Sequence, residues 1–148
     1  MKRALLLSAL VAAFFLGAAS HRIFAHSHTE VTATRLFTGA DNLSHFDRLP
    51  IQFHPVKTGL AREDSDPIPA RSAFLVRVAP GYFENWHNAN QRRYIAVLSG
   101  HAEIEVANGQ KISLAPGDLA LAEDLTGKGH IFRVTGNEDW VALFVDFQ

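Results

Sequence analysis

The chain has no cysteine and a single methionine. No disulfide can staple it, no thiolate can hold a metal, and no cysteine can serve as a nucleophile. Positive charge is not in excess either: 14 Lys and Arg stand against 15 Asp and Glu, a formal charge of −1. No basic field is therefore available to hold nucleic acid or an anionic membrane surface. Beyond residue 20 there is no segment with a helical period, no internal repeat and no low-complexity tract. No serine sits in a nucleophile-elbow context, so Ser-His-Asp catalysis has no support.

The one long apolar run is at the start. Lys2 and Arg3 precede a stretch from Ala4 to Leu16 broken only by Ser8, followed by the small residues Gly17, Ala18, Ala19 and Ser20. This is the pattern of a secretory signal. The run ends before His21 and Arg22, short of the about 20 residues a bilayer span needs. Cleavage after Ala19 or Ser20 is expected, giving a secreted or periplasmic protein; an uncleaved membrane anchor is the alternative. Without residues 1–20 the chain keeps 128 residues, with 12 basic against 15 acidic side chains and a formal charge of −3. That length is one domain's worth and can bury a core without staples.

Residues 21–31 are polar and patternless and are expected to be a mobile N-terminal segment, with one domain over 32–148. Mixed apolar residues from Thr32 to Leu60 predict short strands and loops packed over that domain, and the charged run Arg62 to Pro67 predicts a flexible loop. From Ala70 on, period two takes over. Phe74, Val76 and Val78 alternate with Leu75, Arg77 and Ala79, and Ala102, Ile104 and Val106 alternate with His101, Glu103 and Glu105. Such alternation marks strands with one covered face. Turn signals at Ser99-Gly100, Asn108-Gly109, Pro116-Gly117, Gly127-Lys128-Gly129 and Thr135-Gly136-Asn137 recur every eight to ten residues. Together they predict an all-β antiparallel barrel or sandwich, with Ile104, Val106 and Phe144 buried and the apolar run Trp140 to Phe147 as a central strand.

Two stretches of this region form a pair of half-motifs built on glycine and histidine. Gly81, His87 and Gly100 fall at the first motif's two glycines and first histidine, while Ala89 and Arg93 occupy its second histidine and its glutamate. The second motif starts at Gly117 in the turn Pro116-Gly117-Asp118, carries Glu123 where a proline is usual, and reaches His130 through a loop two residues longer. The combination of Trp86-His87 with Glu123-Asp124-Leu125-Thr126-Gly127-Lys128-Gly129-His130 looks like a subgroup of small cupins that carries no particular activity with it. The resemblance covers roughly Gly81 to Phe147 and implies a single antiparallel β-barrel, the double-stranded β-helix or jelly roll, expected from about Phe74 to Phe147. It also implies that His87 and His130 enter the barrel mouth from neighbouring strands.

Three functions follow as expectations. In the first, the barrel binds a small anionic or carbonyl-bearing molecule, His87 and His130 supply hydrogen bonds or proton transfer, Glu123 orients His130, and Arg93 holds negative charge. Trp86, Tyr94 and Lys128 are further candidate ligand contacts. In the second, His87, His130 and either Glu123 or Asp124 hold Fe, Mn or Zn as cofactor for an oxygenase or isomerase. Against it stands Arg93: a fixed positive charge about 5 Å from a divalent ion costs roughly 6 to 7 kcal/mol at an effective dielectric near 20. In the third, the domain is a non-catalytic module that pairs sheets as a homodimer. The pair His26 and His28 and the sequon Asn42-Leu43-Ser44 carry less weight.

Overall fold

The computed structural model describes residues 29–147; the signal-like segment and His26 and His28 lie outside them. Twelve strands follow one another: β1 (Thr32–Thr38), β2 (Ser44–Pro50), β3 (Phe53–Pro55), β4 (Glu63–Ser65), β5 (Ala70–Val78), β6 (Phe83–His87), β7 (Arg93–Ser99), β8 (His101–Val106), β9 (Lys111–Leu114), β10 (Leu119–Glu123), β11 (His130–Thr135) and β12 (Trp140–Phe147). No helix occurs among the described residues. A six-stranded sheet runs in the order β2-β1-β10-β7-β12-β5 and a four-stranded sheet in the order β6-β11-β8-β9, with β3 and β4 forming a separate hairpin. This is the all-β jelly roll expected, with sheets that face one another rather than closing into a continuous barrel.

One pairing departs from the antiparallel expectation. β1 runs parallel to β10, with Leu36 opposite Ala122 and Phe37 opposite Glu123. Parallel partners need a long connection, and these two are joined through most of the domain rather than by a hairpin.

The core lies between the sheets. Its members include Leu36, Ile95, Val97, Ala102, Ile104, Val106, Leu114, Val134, Trp140 and Ala142. On β8 the inward set is the Ala102, Ile104, Val106 series, and its alternates Glu103 and Glu105 face out. β12 lies between β7 and β5, as its uniform apolarity requires. Trp140 and Ala142 fill the core, and Leu143 and Val145 line a groove of about 490 Å³ on the opposite face beside Phe53 and Ile68. Phe144 is only partly buried, because its ring borders a cavity between the sheets. At the edge, β5 leaves Phe74 and Leu75 exposed. The Arg62 to Pro67 run is not a featureless loop: Glu63–Ser65 pairs with Phe53–Pro55, and the Arg62 guanidinium grips the Asp64 carboxylate through Nε at 2.9 Å and a second nitrogen at 2.8 Å.

The outer face of the small sheet carries a charge lattice. Arg133 donates to Glu103 at 2.6 Å and to Glu105 at 2.7 Å, and Lys111 Nζ lies 3.2 Å and 3.3 Å from the same two carboxylates. The Arg133 hydrogen bond holds the Glu105 carboxyl below its ordinary 4.5, and Glu103 first, then Glu105, hold the Lys111 amine above its ordinary 10.5. A lowered acid stabilises the fold fully above its unfolded value and loses that contribution as pH falls through the folded one; a raised amine is stabilising below its unfolded value and loses this as pH rises. The melting temperature is therefore expected to fall below about pH 4.5 and again above about pH 10.5. Thermal scans of Glu105→Gln across this range should show a smaller acid-side loss than wild type, and the difference should shrink in molar salt. Equal acid-side slopes would remove the lattice as the cause.

Candidate functional site

β6 and β11 bring the two histidines together. His130 lies directly opposite His87, and the next matched pair is Phe132 with Glu84, so three residues of β6 span two of β11. This bulge matters because residues three apart in a regular strand point to opposite faces. With it, Glu84 and His87 both line the cavity. The imidazole rings sit 4.3 Å apart between centroids at an interplanar angle of 53°.

His130 is buried and held from behind. Its Nδ1 lies 2.7 Å from Asp124 Oδ2, which also accepts the Ser44 hydroxyl at 2.9 Å. Asp124 is fully buried, and its second oxygen, Oδ1, has no protein partner. A buried carboxylate accepts hydrogen bonds, so Nδ1 of His130 carries the proton and Nε2 presents its lone pair. The loop that places Asp124 is clasped on both sides. Asn88 donates to the Asp124 carbonyl at 3.1 Å and to the Thr126 carbonyl at 2.7 Å, the Ala89 amide reaches the Asp124 carbonyl at 3.2 Å, and the Thr38 hydroxyl and Lys128 amide tie the other side to Thr126 and Asn42. Ser44, third residue of the sequon, is thus committed inside the fold.

His87 is oriented the same way by different means. Its Nδ1 lies 2.8 Å from the Asn85 carbonyl oxygen, which can only accept, so here too Nε2 is the free nitrogen. Glu84 Oε2 stands 3.6 Å from that Nε2, near enough to pair with the ring when it is protonated. Two imidazoles, one backed by Asp124 and one flanked by Glu84, thus face one space with unequal partners.

That space is a cavity of about 610 Å³, within the usual range for small-molecule sites. Its mouth is polar, with Tyr82, Glu84, His87, Asn88, Asn90, Arg93 and His130; its floor is apolar, with Leu36, Ile95, Ile104, Leu114, Phe132 and Trp140. Arg93 faces this cavity, yet its charge is not free. Its Nε is 2.9 Å from Asp146 Oδ1 without hydrogen-bond alignment, another guanidinium nitrogen donates to Asn90 at 2.7 Å, and the group lies 4.8 Å over the Phe144 ring. Buried Asp146 offsets the cation, so Arg93 offers the cavity a donor more than a net charge.

The other residues singled out from the sequence go elsewhere. Glu123 does not orient His130: it turns to the opposite side of β10, where Arg92 Nε donates to it at 2.8 Å and Arg35 lies 3.9 Å away. Period two sends Glu123 out and Asp124 in, so Asp124 takes the role assigned to its neighbour. Trp86 and Lys128 pair with each other outside the cavity, Nζ lying 4.4 Å from the ring centroid. Tyr94 stacks on Phe147 at 5.4 Å and lines the outer groove instead; burial raises its phenol above the ordinary 10.0. Sequence reasoning missed Glu84, Asn88, Asn90 and Trp140. Glu84 in particular is invisible without the bulge, since its spacing from His87 reads as the other face.

The metal set does not assemble. Asp124 Oδ2 is occupied by His130 and Ser44, Glu123 faces away, and Ala89 and Arg93 stand at the remaining motif positions. Among the described residues no group of three or more His, Cys, Asp or Glu is placed to hold a metal ion. Among the described residues the set expected from the sequence, His87 and His130 with Glu123 or Asp124, therefore does not form a metal centre.

Comparison with known proteins agrees with the architecture. The cupin-domain family profile matches residues 74–146. Solved structures with a similar course include a Cupin 2 conserved barrel domain protein from Salinispora arenicola, 17% identical, covering 76% of this chain and 81% of that one with a TM-score of 0.42. An uncharacterised conserved protein with a double-stranded β-helix domain from Klebsiella pneumoniae is 26% identical over 49% of this chain and 63% of its own, TM-score 0.41. A cupin-superfamily sugar phosphate isomerase from Silicibacter pomeroyi is 23% identical over 51% of this chain, TM-score 0.42, and the chain spans about half of its length (49%). No curated protein matches the chain. With the glycine frame, the facing sheets and the profile match all falling on the same stretch, the chain belongs to the cupin superfamily.

Proposed function

We propose that the cavity binds a small hydroxy-carbonyl molecule and moves a proton on it. The observation that carries this is the pair of imidazoles lining one cavity, 4.3 Å apart, with different partners, Asp124 behind His130 and Glu84 beside His87. His130 is the base: its Nε2 takes a proton from the carbon next to the carbonyl, and Asp124 stabilises the imidazolium that forms. The electron pair left on carbon moves to the carbonyl oxygen, which receives the proton of a protonated His87 held by Glu84. The product is an enediol, which returns by the same atoms in reverse or at the neighbouring carbon, an isomerisation. Arg93 and Asn90 line the same cavity, and in this reading they donate to an oxygen of the substrate. The signal-like N-terminus supports action outside the cytoplasm.

The test is proton exchange. In D₂O, a probe such as dihydroxyacetone should lose its carbon-bound protons faster with wild-type protein than in buffer, followed by NMR. Asp124→Asn keeps shape but offers no carboxylate to His130, and it should lower that rate about 10²-fold or more. His130→Gln should do the same. Exchange at the buffer rate with wild type, or unchanged exchange in His130→Gln, would sink the assignment.

A further inference from the structure

The lining of the cavity changes character with depth, and it does so on both sheets. On β7 the lining passes from Arg93 to Ile95, and on β11 of the facing sheet from His130 to Phe132. Each is one inward step of two residues, about 7 Å along a strand. Register carries the change to the neighbouring strands: on β10 Ala120 lies opposite Ile95, and on β8 Ile104 lies opposite Phe132. Exposure follows the same order, with Tyr82 and Asn90 exposed, His87 and Arg93 half-buried, and Ile95, Ile104 and Ala120 buried. Polar groups thus form one layer, which holds both imidazoles, and the layer beneath is hydrocarbon.

This depth is more than a reacting head needs. A three-carbon ketol engaged by both imidazoles would leave most of the cavity of about 610 Å³ empty and its apolar layer uncovered. A hydroxyl or phosphate reaching that layer would lose its hydration and meet no partner, since Ile95, Ala120, Ile104 and Phe132 offer neither donor nor acceptor. A phosphate nearer the mouth fares little better: of the two arginines in the lining, Arg93 lies 2.9 Å from Asp146 and Arg77 lies 3.7 Å from Asp139. We infer that the molecule is a ketol with a hydrocarbon tail, its head between His87 and His130 and its tail on Ile95, Ala120, Ile104 and Phe132. This deepens the proposed function, on which it rests, by making the substrate an amphiphile rather than a sugar or sugar phosphate.

A homologous series tests it. Exchange of the C1 protons in D₂O, followed by NMR, is compared for 1-hydroxypropan-2-one, 1-hydroxypentan-2-one and 1-hydroxyheptan-2-one, with dihydroxyacetone phosphate as the charged probe. In wild type, kcat/KM should rise about three- to fourfold for each added methylene, the worth of burying one. The phosphate should exchange more slowly than the heptanone. Ala120→Leu, which fills the floor from β10, should erase the preference for the long tail. Because a larger side chain at a buried alanine costs stability, a second readout uses the wild-type chain. With its isoleucine methyls labelled, the terminal methyl of the heptanone should show NOEs to Ile95 and Ile104. Exchange that is flat along the series, a preference unchanged in Ala120→Leu, absent NOEs, or a phosphate exchanged faster than the heptanone overturns the inference, and exchange of the short ketol then leaves the proton-transfer reading standing. If affinity by titration calorimetry rises along the series but no member exchanges faster than in buffer, the tail subsite stands and the proton-transfer reading falls. If the heptanone neither binds nor exchanges, both fall.

Discussion

Gly129→Ala is expected to destabilise the domain by about 3 to 4 kcal/mol and to pull the two histidines apart. Gly129 has φ +74°, where a side chain costs roughly 1 to 2 kcal/mol by itself. The larger part is contact: an added Cβ would overlap the carbonyl group of His87 and press on the Asn88 amide, all backbone that cannot swing aside. Relief requires β11 to separate from β6 at the point where His130 faces His87. The melting temperature should therefore fall by roughly 10 to 20 °C, and whatever proton exchange the protein catalyses should fall with it even at temperatures where the variant is folded. Gly117→Ala is the control. Its φ is +94°, but nothing lies within 4 Å of an added Cβ, so only the backbone strain is incurred. Equal losses for the two variants would show that close approach of β6 and β11 is not what Gly129 provides.

Arg93→Met should cost a comparable amount, about 3 to 5 kcal/mol in urea unfolding, because it strands a buried carboxylate. Asp146 is 5% exposed, and apart from the Ser72 hydroxyl at 3.1 Å the guanidinium is the group compensating it. The double variant Arg93→Met with Asp146→Leu removes both charges and should recover most of the loss. The same pairing reverses what the sequence motif alone would recommend. Arg93→Glu restores the residue type of the half-motif, yet here it would set one carboxylate against another in the interior. It should unfold the domain more readily than Arg93→Met and leave metal retention after dialysis unchanged. Stability equal to wild type, or stoichiometric Zn or Mn held by Arg93→Glu alone, would mean that Asp146 is not the partner of Arg93 in solution.

Several features of the architecture were legible in the chain. The alternation of Ala102, Ile104 and Val106, the regular glycine turns and the double-sided apolarity of Trp140 to Phe147 all reflect local rules, since period two assigns faces and turn residues end strands wherever they occur. The spacing of Gly81, His87 and Gly100 identified the half-motif, and the same stretch is the one that the family profile covers. What the residues around the site do was less accessible. Glu123 and Asp124 are adjacent and alike in chemistry, and alternation says only that they face opposite ways; which one points in depends on the pairing of β10 with β1 and β7.

The sequence by itself determined an all-β domain, because strand formation and turn placement are decided by neighbours along the chain; that His87 and His130 sit on strands that meet was implied only by the resemblance to the cupin half-motifs. Only the tertiary structure decided that Asp124 rather than Glu123 backs His130, that a bulge swings Glu84 to the side of His87, and that Asp146 offsets Arg93. Each of these rests on register or on contacts between residues far apart in sequence, and register is a property of two strands at once, which neither strand's own residues can specify.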